Sequence, residues 1–192
     1  MQDITQLKTQ IQDILSPIRF RHTVGVMETA VLLAKKYHVN VQKAQLAALL
    51  HDVAKDYPDE QLLQMAHEYG LDTDIVLEKF PALLHGPVGA ALARQKLGIT
   101  ERDILQAVAV HTFGDVNLTD TAKILMVADA IEPGRLYKGI EGLRQQIADS
   151  GDSLNQATLH CLEFKIQTVL KCKYLLHPTA INARNELLLK VN

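Results

Sequence analysis

Apolar residues recur at helical spacing along nearly the whole chain of 192 residues, and no stretch alternates convincingly between apolar and polar residues as a half-buried strand would. Prolines and glycines divide the chain into segments of helical length, without a linker or an internal repeat. A chain of roughly 100 to 200 residues suits one domain. The pattern therefore predicts a single all-α domain over residues 1–192.

The boundaries of the helices follow from prolines, glycines and capping residues. The predicted helices cover about 3–15, 20–37, 41–54, 59–70, 88–97, 101–111, 119–131 and 153–176, with a short helix after 139 and a last one after 178. Pro17 and the pair Gly86-Pro87 are interpreted as breaks between helices, because a proline has no amide hydrogen to donate inside a helix. Asp59 is expected near the start of its helix.

Four apolar runs lead directly into histidine or aspartate. The runs and the residues that follow them are 47–50 before His51 and Asp52, 82–84 before His85, 107–110 before His111, and 125–128 before Asp129. A single histidine on an apolar helix is usually a hydrogen-bonded core residue, and an unpaired buried charge costs several kcal/mol. Four such cases together indicate a shared partner, and a divalent metal accounts for them best because it accepts neutral imidazole and carboxylate.

His51 and Asp52 are adjacent, so on a helix their side chains would diverge by about 100°. An aspartate has two oxygens, however, and can bridge two ions while the histidine binds one of them. That arrangement fits a binuclear centre with metals roughly 3.5 to 4 Å apart.

Composition excludes several classes of function. The formal net charge is −2 and the pI is near 6.4, without the basic face that nucleic-acid binders carry. No run of about 18 apolar residues predicts a membrane span, and the N-terminus lacks the charged-then-apolar sequence of a signal peptide.

Cys161 and Cys172 fall in one predicted helix roughly 16 Å apart, too far for a disulfide. Reduced thiols favour a cytoplasmic location.

Together these motifs resemble the HD superfamily of metal-dependent phosphohydrolases. The family pattern has an early histidine, an adjacent His-Asp and a late aspartate, which His22, His51-Asp52 and Asp129 match; members with two metals add two histidines, which His85 and His111 match in order. Within the superfamily the chain is similar to the YqeK-type bacterial subgroup. The matching segments are 21–26, 49–55, 84–90, 111–112 and 127–135.

The resemblance implies an HD-type helical bundle with a motif-bearing core over about 18–135 and C-terminal helices over 139–192. It also implies a symmetrical bis(5′-nucleosyl)-tetraphosphatase, which cuts diadenosine tetraphosphate into two ADP at a di-iron centre. From the ligand types alone, iron, zinc, manganese and nickel remain open. A dinucleoside polyphosphate or another nucleotide is the expected partner, no nucleic acid or membrane partner is expected, and a homodimer is left open.

The ligand hypothesis divides the six residues between two ions. His22, His51, Asp52 and Asp129 hold the first ion, and Asp52 bridges to a second ion that His85 and His111 also hold. A hydroxide bridging the two metals then attacks phosphorus in line with the departing nucleotide.

Five further residues are candidates for contacts with substrate. Lys55 lies one helical turn after His51 and is expected to act with Asp52 in catalysis and to bind phosphate; its alternative is an ordinary solvated lysine. Arg135 could grip a phosphate bidentately, or be a charge at a helix end. Arg21 and Thr112 flank the predicted ligands, and Gly86 could let substrate approach the backbone.

Two other functions remain open at this point. The first keeps the chemistry and changes the substrate, as in a nucleotidase, a guanosine tetraphosphate hydrolase or a cyclic-dinucleotide phosphodiesterase, although the Gly-Tyr-Pro signature of the last is absent. The second is a non-enzymatic helical module that binds a nucleotide or a partner and has a merely structural polar core. Metal content and a nucleotide panel separate these alternatives.

Overall fold

The computed structural model describes residues 4–191, and every regular element in that range is helical. The helices are α1 (Ile4–Ile14), α2 (Pro17–Lys36), α3 (Val41–Leu50), α4 (Asp59–Glu68), α5 (Ile75–Lys79), a 3₁₀ helix (Pro81–Leu84), α6 (His85–Lys96), α7 (Arg102–Val110), α8 (Asp120–Ile131), α9 (Ile140–Asp149), α10 (Leu154–Lys171) and α11 (Pro178–Val191). The prediction of an all-α fold is confirmed. Residues 1–3 and 192, which the predictions included, lie outside the described residues.

Helix α8 occupies the centre of the bundle. All residues from Thr121 to Ala130 are buried, and α8 contacts α2, α3, α7 and α10. A helix that is apolar on all sides is stable only where other elements cover it completely. The hydroxyl of Thr119 caps this helix by accepting the N–H of Ala122 at 3.3 Å. Because Asp129 lies in the last turn of α8, its carboxylate is inside the protein.

One large apolar core joins the two ends of the chain. It contains Leu7 of α1, residues of the central helices, and Leu187 of α11. A smaller apolar cluster, which includes Leu62, Leu77 and Leu84, lies beneath α4, α5 and the 3₁₀ helix. Within residues 4–191, no helix is long and apolar enough to cross a lipid bilayer.

Helix α3 ends at Leu50, several residues before the predicted end near 54. The following amides bond to carbonyls only three residues back, Val53 to Leu50 at 3.1 Å and Lys55 to Asp52 at 2.9 Å. Such bonds belong to tight turns, not to a continuing α-helix. His51 and Asp52 therefore lie in a turn at the end of α3, and the two side chains can face the same space.

Helix α6 begins earlier than predicted, and its first turn contains the pair Gly86-Pro87. A proline in the first turn does not disturb a helix, since its missing amide hydrogen would have no partner there. The same rule explains why α2 begins at Pro17 and not near 20. Helix α10 ends at Lys171 instead of near 176, and α5 and the 3₁₀ helix were missed because five and four residues give too little periodicity.

Gly86 allows α6 to approach α7 closely. A Cβ atom on Gly86 would lie 2.6 Å from the carbonyl oxygen of Ala109 and 3.1 Å from that of Val108.

We expect Gly86→Ala to lower the free energy of unfolding by about 1–3 kcal/mol, because the backbone of α7 cannot move aside as a side chain can. The control is Gly142→Ala in α9, where a Cβ meets nothing within 4 Å. That change should be neutral or add up to about 1 kcal/mol. Equal midpoints of urea unfolding for the two variants would contradict this account.

Candidate metal centre

The six predicted metal ligands lie together where several helices begin or end. His22 projects from α2, His51 and Asp52 follow α3, His85 begins α6, His111 follows α7 and Asp129 is in the last turn of α8. Five of them are buried, with exposures between 0% for His51 and 8% for Asp129. The side chain of His22 is 11% exposed. The fold thus brings together side chains that are far apart in the sequence.

Three of the histidines are held in the same way. The Nδ1 atoms of His51 and His111 lie 2.7 and 2.8 Å from the carbonyl oxygens of Ala48 and Val108, three residues back. His85 makes the same bond to Ala82. The last carbonyls of a helix lack a partner within it, so each ring satisfies one of them. Because a carbonyl only accepts, each bond assigns the ring proton to Nδ1 and leaves Nε2 as an acceptor.

His22 is held by a carboxylate instead of a carbonyl. Its Nδ1 lies 3.1 Å from Oε1 of Glu132, and the other oxygen of Glu132 accepts the N–H of Gly134 at 2.6 Å. Gly25 makes room for this carboxylate, because a Cβ there would lie 2.7 Å from Oε2 of Glu132. Glu132 was not among the site residues predicted from the sequence. A carboxylate behind a histidine fixes the ring and makes Nε2 a stronger ligand.

The four Nε2 atoms converge on the two buried aspartates. The Nε2 atoms of His22 and His51 are 3.3 Å apart, and those of His85 and His111 are 3.1 Å apart. With the protons assigned to Nδ1, these are lone pairs that face each other, and carboxylates are also acceptors. Acceptors that face one another repel unless a positive charge lies between them. The four Nε2 atoms and the two carboxylates therefore form a ligand set that fits a divalent transition metal, since neutral imidazole and carboxylate bind such ions well.

Asp52 directs its two oxygens to different pairs of histidines. Oδ1 lies 3.2 Å from Nε2 of His85 and 3.9 Å from Nε2 of His111. Oδ2 lies 3.4 Å from Nε2 of His51 and 3.7 Å from Nε2 of His22. A carboxylate placed in this way can bridge two cations.

Two groups of three ligand atoms within 4.8 Å of one another could each hold an ion. The first group is His22, His51 and Asp129, and the second is His51, Asp52 and His111. The second group contains His51 where the sequence hypothesis placed His85. His85 is nevertheless close to the second group, since its Nε2 is 3.2 Å from Oδ1 of Asp52.

Burial and neighbouring charges shift the pKa values of these groups in different directions. Burial lowers the pKa of His51, but Asp52 and Asp129 outweigh it and raise that pKa above its usual value. Burial lowers the pKa of His111 well below its usual range, and His85 and His51 lower it further. Burial opposes ionisation of Asp129, but His22, Lys165 and Arg135 nevertheless hold its pKa well below the usual value. Asp52 is likewise held ionised against burial, chiefly by His51. A neutral imidazole and ionised carboxylates are the forms that bind metals.

Three basic side chains lie beside the two aspartates, and a fourth lies beside His85. Arg19 donates to Oδ2 of Asp52 at 2.8 Å, and the guanidinium of Arg135 bonds to Oδ1 of Asp129. Nζ of Lys165 lies 3.7 Å from Oδ2 of Asp129, and Nζ of Lys55 lies 3.3 Å from Nδ1 of His85. Burial lowers the pKa of Lys55. These cations can also attract an anionic ligand to the cluster.

The other residues that were predicted to contact substrate lie in surroundings that differ from one residue to the next. Arg135 lies 3.2 Å from Nε2 of His22 and also donates to the carbonyl of Asp129 at 2.9 Å, as expected for a cation at a helix end. Thr112 lines a cleft beside Asp129, and its buried hydroxyl has no hydrogen-bond partner in the described structure. Arg21 is exposed, and among residues 4–191 no hydrogen bond or ion pair joins it to the cluster. Gly86 is buried, and the position that a Cβ would occupy there faces the carbonyls of α7.

The sequence analysis missed two of the four basic residues. Arg19 lies three residues before His22, so the two side chains share one face of α2, and this spacing could have revealed it. Lys165 comes from α10, far along the chain, and no spacing or motif connects it with Asp129.

Comparison with known proteins gives a consistent result. Residues 19–134 match the HD domain family. The chain is 39% identical over 176 residues to a protein of Halalkalibacterium halodurans named symmetrical bis(5′-nucleosyl)-tetraphosphatase, covering 92% of each chain. It is 35% identical over 161 residues to a Bacillus subtilis protein of the same name, covering 84% of each. Each of the two alignments covers most of this chain and most of the relative.

A solved structure is similar over almost its entire length. It is described as a predicted HD superfamily hydrolase involved in NAD metabolism from Clostridium acetobutylicum. The two chains superpose with a TM-score of 0.89 at 35% identity, and 99% of each is covered. The C-terminal helices beyond residue 134 therefore also have counterparts in that protein.

The contact between Glu132 and His22 gives a test of the centre. We expect Glu132→Gln to weaken divalent-metal binding about 10- to 100-fold, because a neutral amide orients the ring less firmly and leaves Nε2 less basic. The measurement is metal content after equilibrium dialysis against a metal buffer. The matched control is Glu141→Gln, whose carboxylate pairs with Arg144 at 2.6 Å and is 79% exposed. Equal metal binding by both variants would show that Glu132 does not support the centre.

Proposed function

Because this chain belongs to the HD domain family, we propose that it is a metal-dependent phosphohydrolase that cleaves dinucleoside polyphosphates symmetrically, converting diadenosine tetraphosphate into two ADP. The observation that carries the hydrolase part is the cluster of four Nε2 atoms around two buried carboxylates. The substrate and the symmetric cut are supported by the names of relatives that are 39% and 35% identical to this chain.

We assign the metal ligands as the sequence hypothesis divided them. His22, His51, Asp52 and Asp129 hold one cation, while His85 and His111 hold a second that Asp52 shares. The distances from each oxygen of Asp52 support its bridging role, because Oδ1 is nearest His85 and Oδ2 is nearest His51 among the histidines. Iron is the proposed metal, while imidazole and carboxylate ligands also accept zinc, manganese or nickel.

Bound divalent cations would lower the pKa of a water molecule and polarise phosphate oxygens. The residues of the chain have other tasks. Asp52 acts as the central carboxylate of the site. The imidazole rings of His51, His85 and His111 are each held by a hydrogen bond to a carbonyl, that of Ala48, Ala82 and Val108 respectively. Rigid ligands keep the reacting groups aligned without reorganisation during the reaction.

Basic side chains bind the phosphate chain of the substrate in this proposal. Lys55 lies near His85 and Arg135 lies near Asp129. Arg19, which the sequence analysis missed, is the third candidate, because its guanidinium lies beside Asp52. A polyphosphate carries several negative charges, and the net charge of the protein is −2, so local cations must supply the attraction.

Product analysis with diadenosine tetraphosphate tests this function directly. The metal-loaded protein should release ADP as the only nucleotide product, since attack at the central linkage divides the molecule equally. Chromatography of the products at early times is the measurement. AMP together with ATP would reject the symmetric cut. Hydrolysis of another member of a nucleotide panel, with diadenosine tetraphosphate left intact, would favour a nucleotidase or a guanosine tetraphosphate hydrolase.

The bridging role of Asp52 gives a sharper test. We expect Asp52→Ala to reduce turnover by at least about a thousandfold, roughly 4 kcal/mol in the barrier, and to lower the occupancy of both cations. The measurements are initial rates and metal content per chain. Asp72→Ala, a change at an exposed aspartate, is the control and should leave both unchanged. Near-normal turnover by the Asp52 variant would make the assignment wrong.

A further inference from the structure

Helix α10 reaches the metal centre from outside the segment that matches the HD domain. That segment ends at residue 134, whereas α10 covers Leu154–Lys171. The helix contacts α8, which carries Asp129, as well as α9 and α11. Lys165 of α10 lies beside the centre, so a helix beyond the family segment contributes a charge to the site.

The ammonium group of Lys165 is fixed in position by one hydrogen bond. Nζ donates to the carbonyl oxygen of His111 at 2.8 Å and lies 3.7 Å from Oδ2 of Asp129, which is beyond hydrogen-bond distance. An ammonium has three N–H donors, so this geometry commits one of them. The side chain is 24% exposed. The remaining donors are thus available to a ligand while the head group stays in place.

Lys165 lines a cleft of about 550 Å³ that opens beside Asp129. Tyr137 and Phe164 form one part of the wall, with ring centroids 5.5 Å apart. Thr112 also lines the cleft, although its hydroxyl oxygen is itself buried. A cation and an aromatic surface in one cleft suit a ligand that combines a phosphate with an aromatic ring.

We propose that Lys165 is a phosphate-binding residue of this cleft, which donates to a non-bridging phosphate oxygen of one nucleoside diphosphate half of the substrate. The inference rests on the proposed function and adds a residue that the HD segment does not contain. A lysine that served only to tie α10 to the end of α7 and to balance the charge of Asp129 would need no more than the carbonyl bond and the proximity to that carboxylate. Its placement within the cleft, next to a site for phosphate chemistry, is what a purely structural lysine does not require.

Binding of ADP and adenosine separates these roles. The two ligands share the base and ribose and differ in the diphosphate, so removing a phosphate contact weakens ADP alone. We choose Lys165→Gln, which removes the charge and keeps an N–H donor for the carbonyl of His111, and Lys165→Arg, which keeps the charge. Lys96→Gln is the matched control, because Lys96 is an exposed lysine at the end of α6 without an ion pair in the described residues.

Isothermal titration of the metal-loaded protein is the measurement. Lys165→Gln should weaken ADP binding about tenfold, equivalent to about 1.4 kcal/mol, with adenosine affinity within twofold of the unmodified protein. Lys165→Arg should retain ADP affinity within about threefold, and Lys96→Gln should change neither ligand. Metal content should be the same in all variants.

Three results would overturn the inference. ADP affinity unchanged in Lys165→Gln would show that no phosphate contact exists. A parallel loss of adenosine and ADP affinity would indicate a structural role, and loss of metal would indicate that Lys165 supports Asp129 instead of substrate. These titrations involve no turnover, so their failure leaves the hydrolytic function standing. Conversely, a protein that releases no ADP from diadenosine tetraphosphate fails as the proposed hydrolase whatever Lys165 binds.

Discussion

Four imidazole nitrogens and two carboxylates that face one another form a set of hydrogen-bond acceptors without a donor of their own. This constraint shapes the surrounding structure, because such a set is stable inside a protein only next to positive charge. The rings are held from behind by carbonyls of helix ends and by Glu132. The same bonds that satisfy the orphan carbonyls of the helix ends therefore aim the free nitrogen of each ring inward.

The central helix makes this arrangement possible. Because α8 is packed against other helices on most sides, the carboxylate of Asp129 in its last turn is largely buried and needs partners within the protein. It finds them on three sides, in His22, Arg135 and Lys165. The helices beyond residue 134 are thus more than a cover for the core, since α10 carries one of the charges that surround the centre.

Helical periodicity was enough to predict an all-α fold, but not where each helix ends near the centre. His51 and Asp52 were expected inside a helix that runs to about 54, where adjacent side chains diverge. In the structure the helix ends at Leu50 and both residues occupy a tight turn. The close contact between Gly86 and the backbone of α7 was likewise not predicted from the sequence. The space next to a glycine depends on the neighbouring helix, here α7, and local sequence does not reveal which helix that is.

The sequence alone determined the helical class of the fold and the five positions where imidazole or carboxylate follows an apolar run, because burial of an ionisable group is visible as a local contrast in polarity. His22 follows no such run, and only the family pattern indicated it. Only the tertiary structure decided which groups stand behind and beside these six side chains. Glu132, Arg19 and Lys165 are ordinary surface residue types. The spacing of Arg19 from His22 places the two on one face of α2, but nothing in the segments of Glu132 and Lys165 indicates what they contact. Distance through space between α2, α8 and α10 depends on how helices pack, and packing is a property of the whole chain.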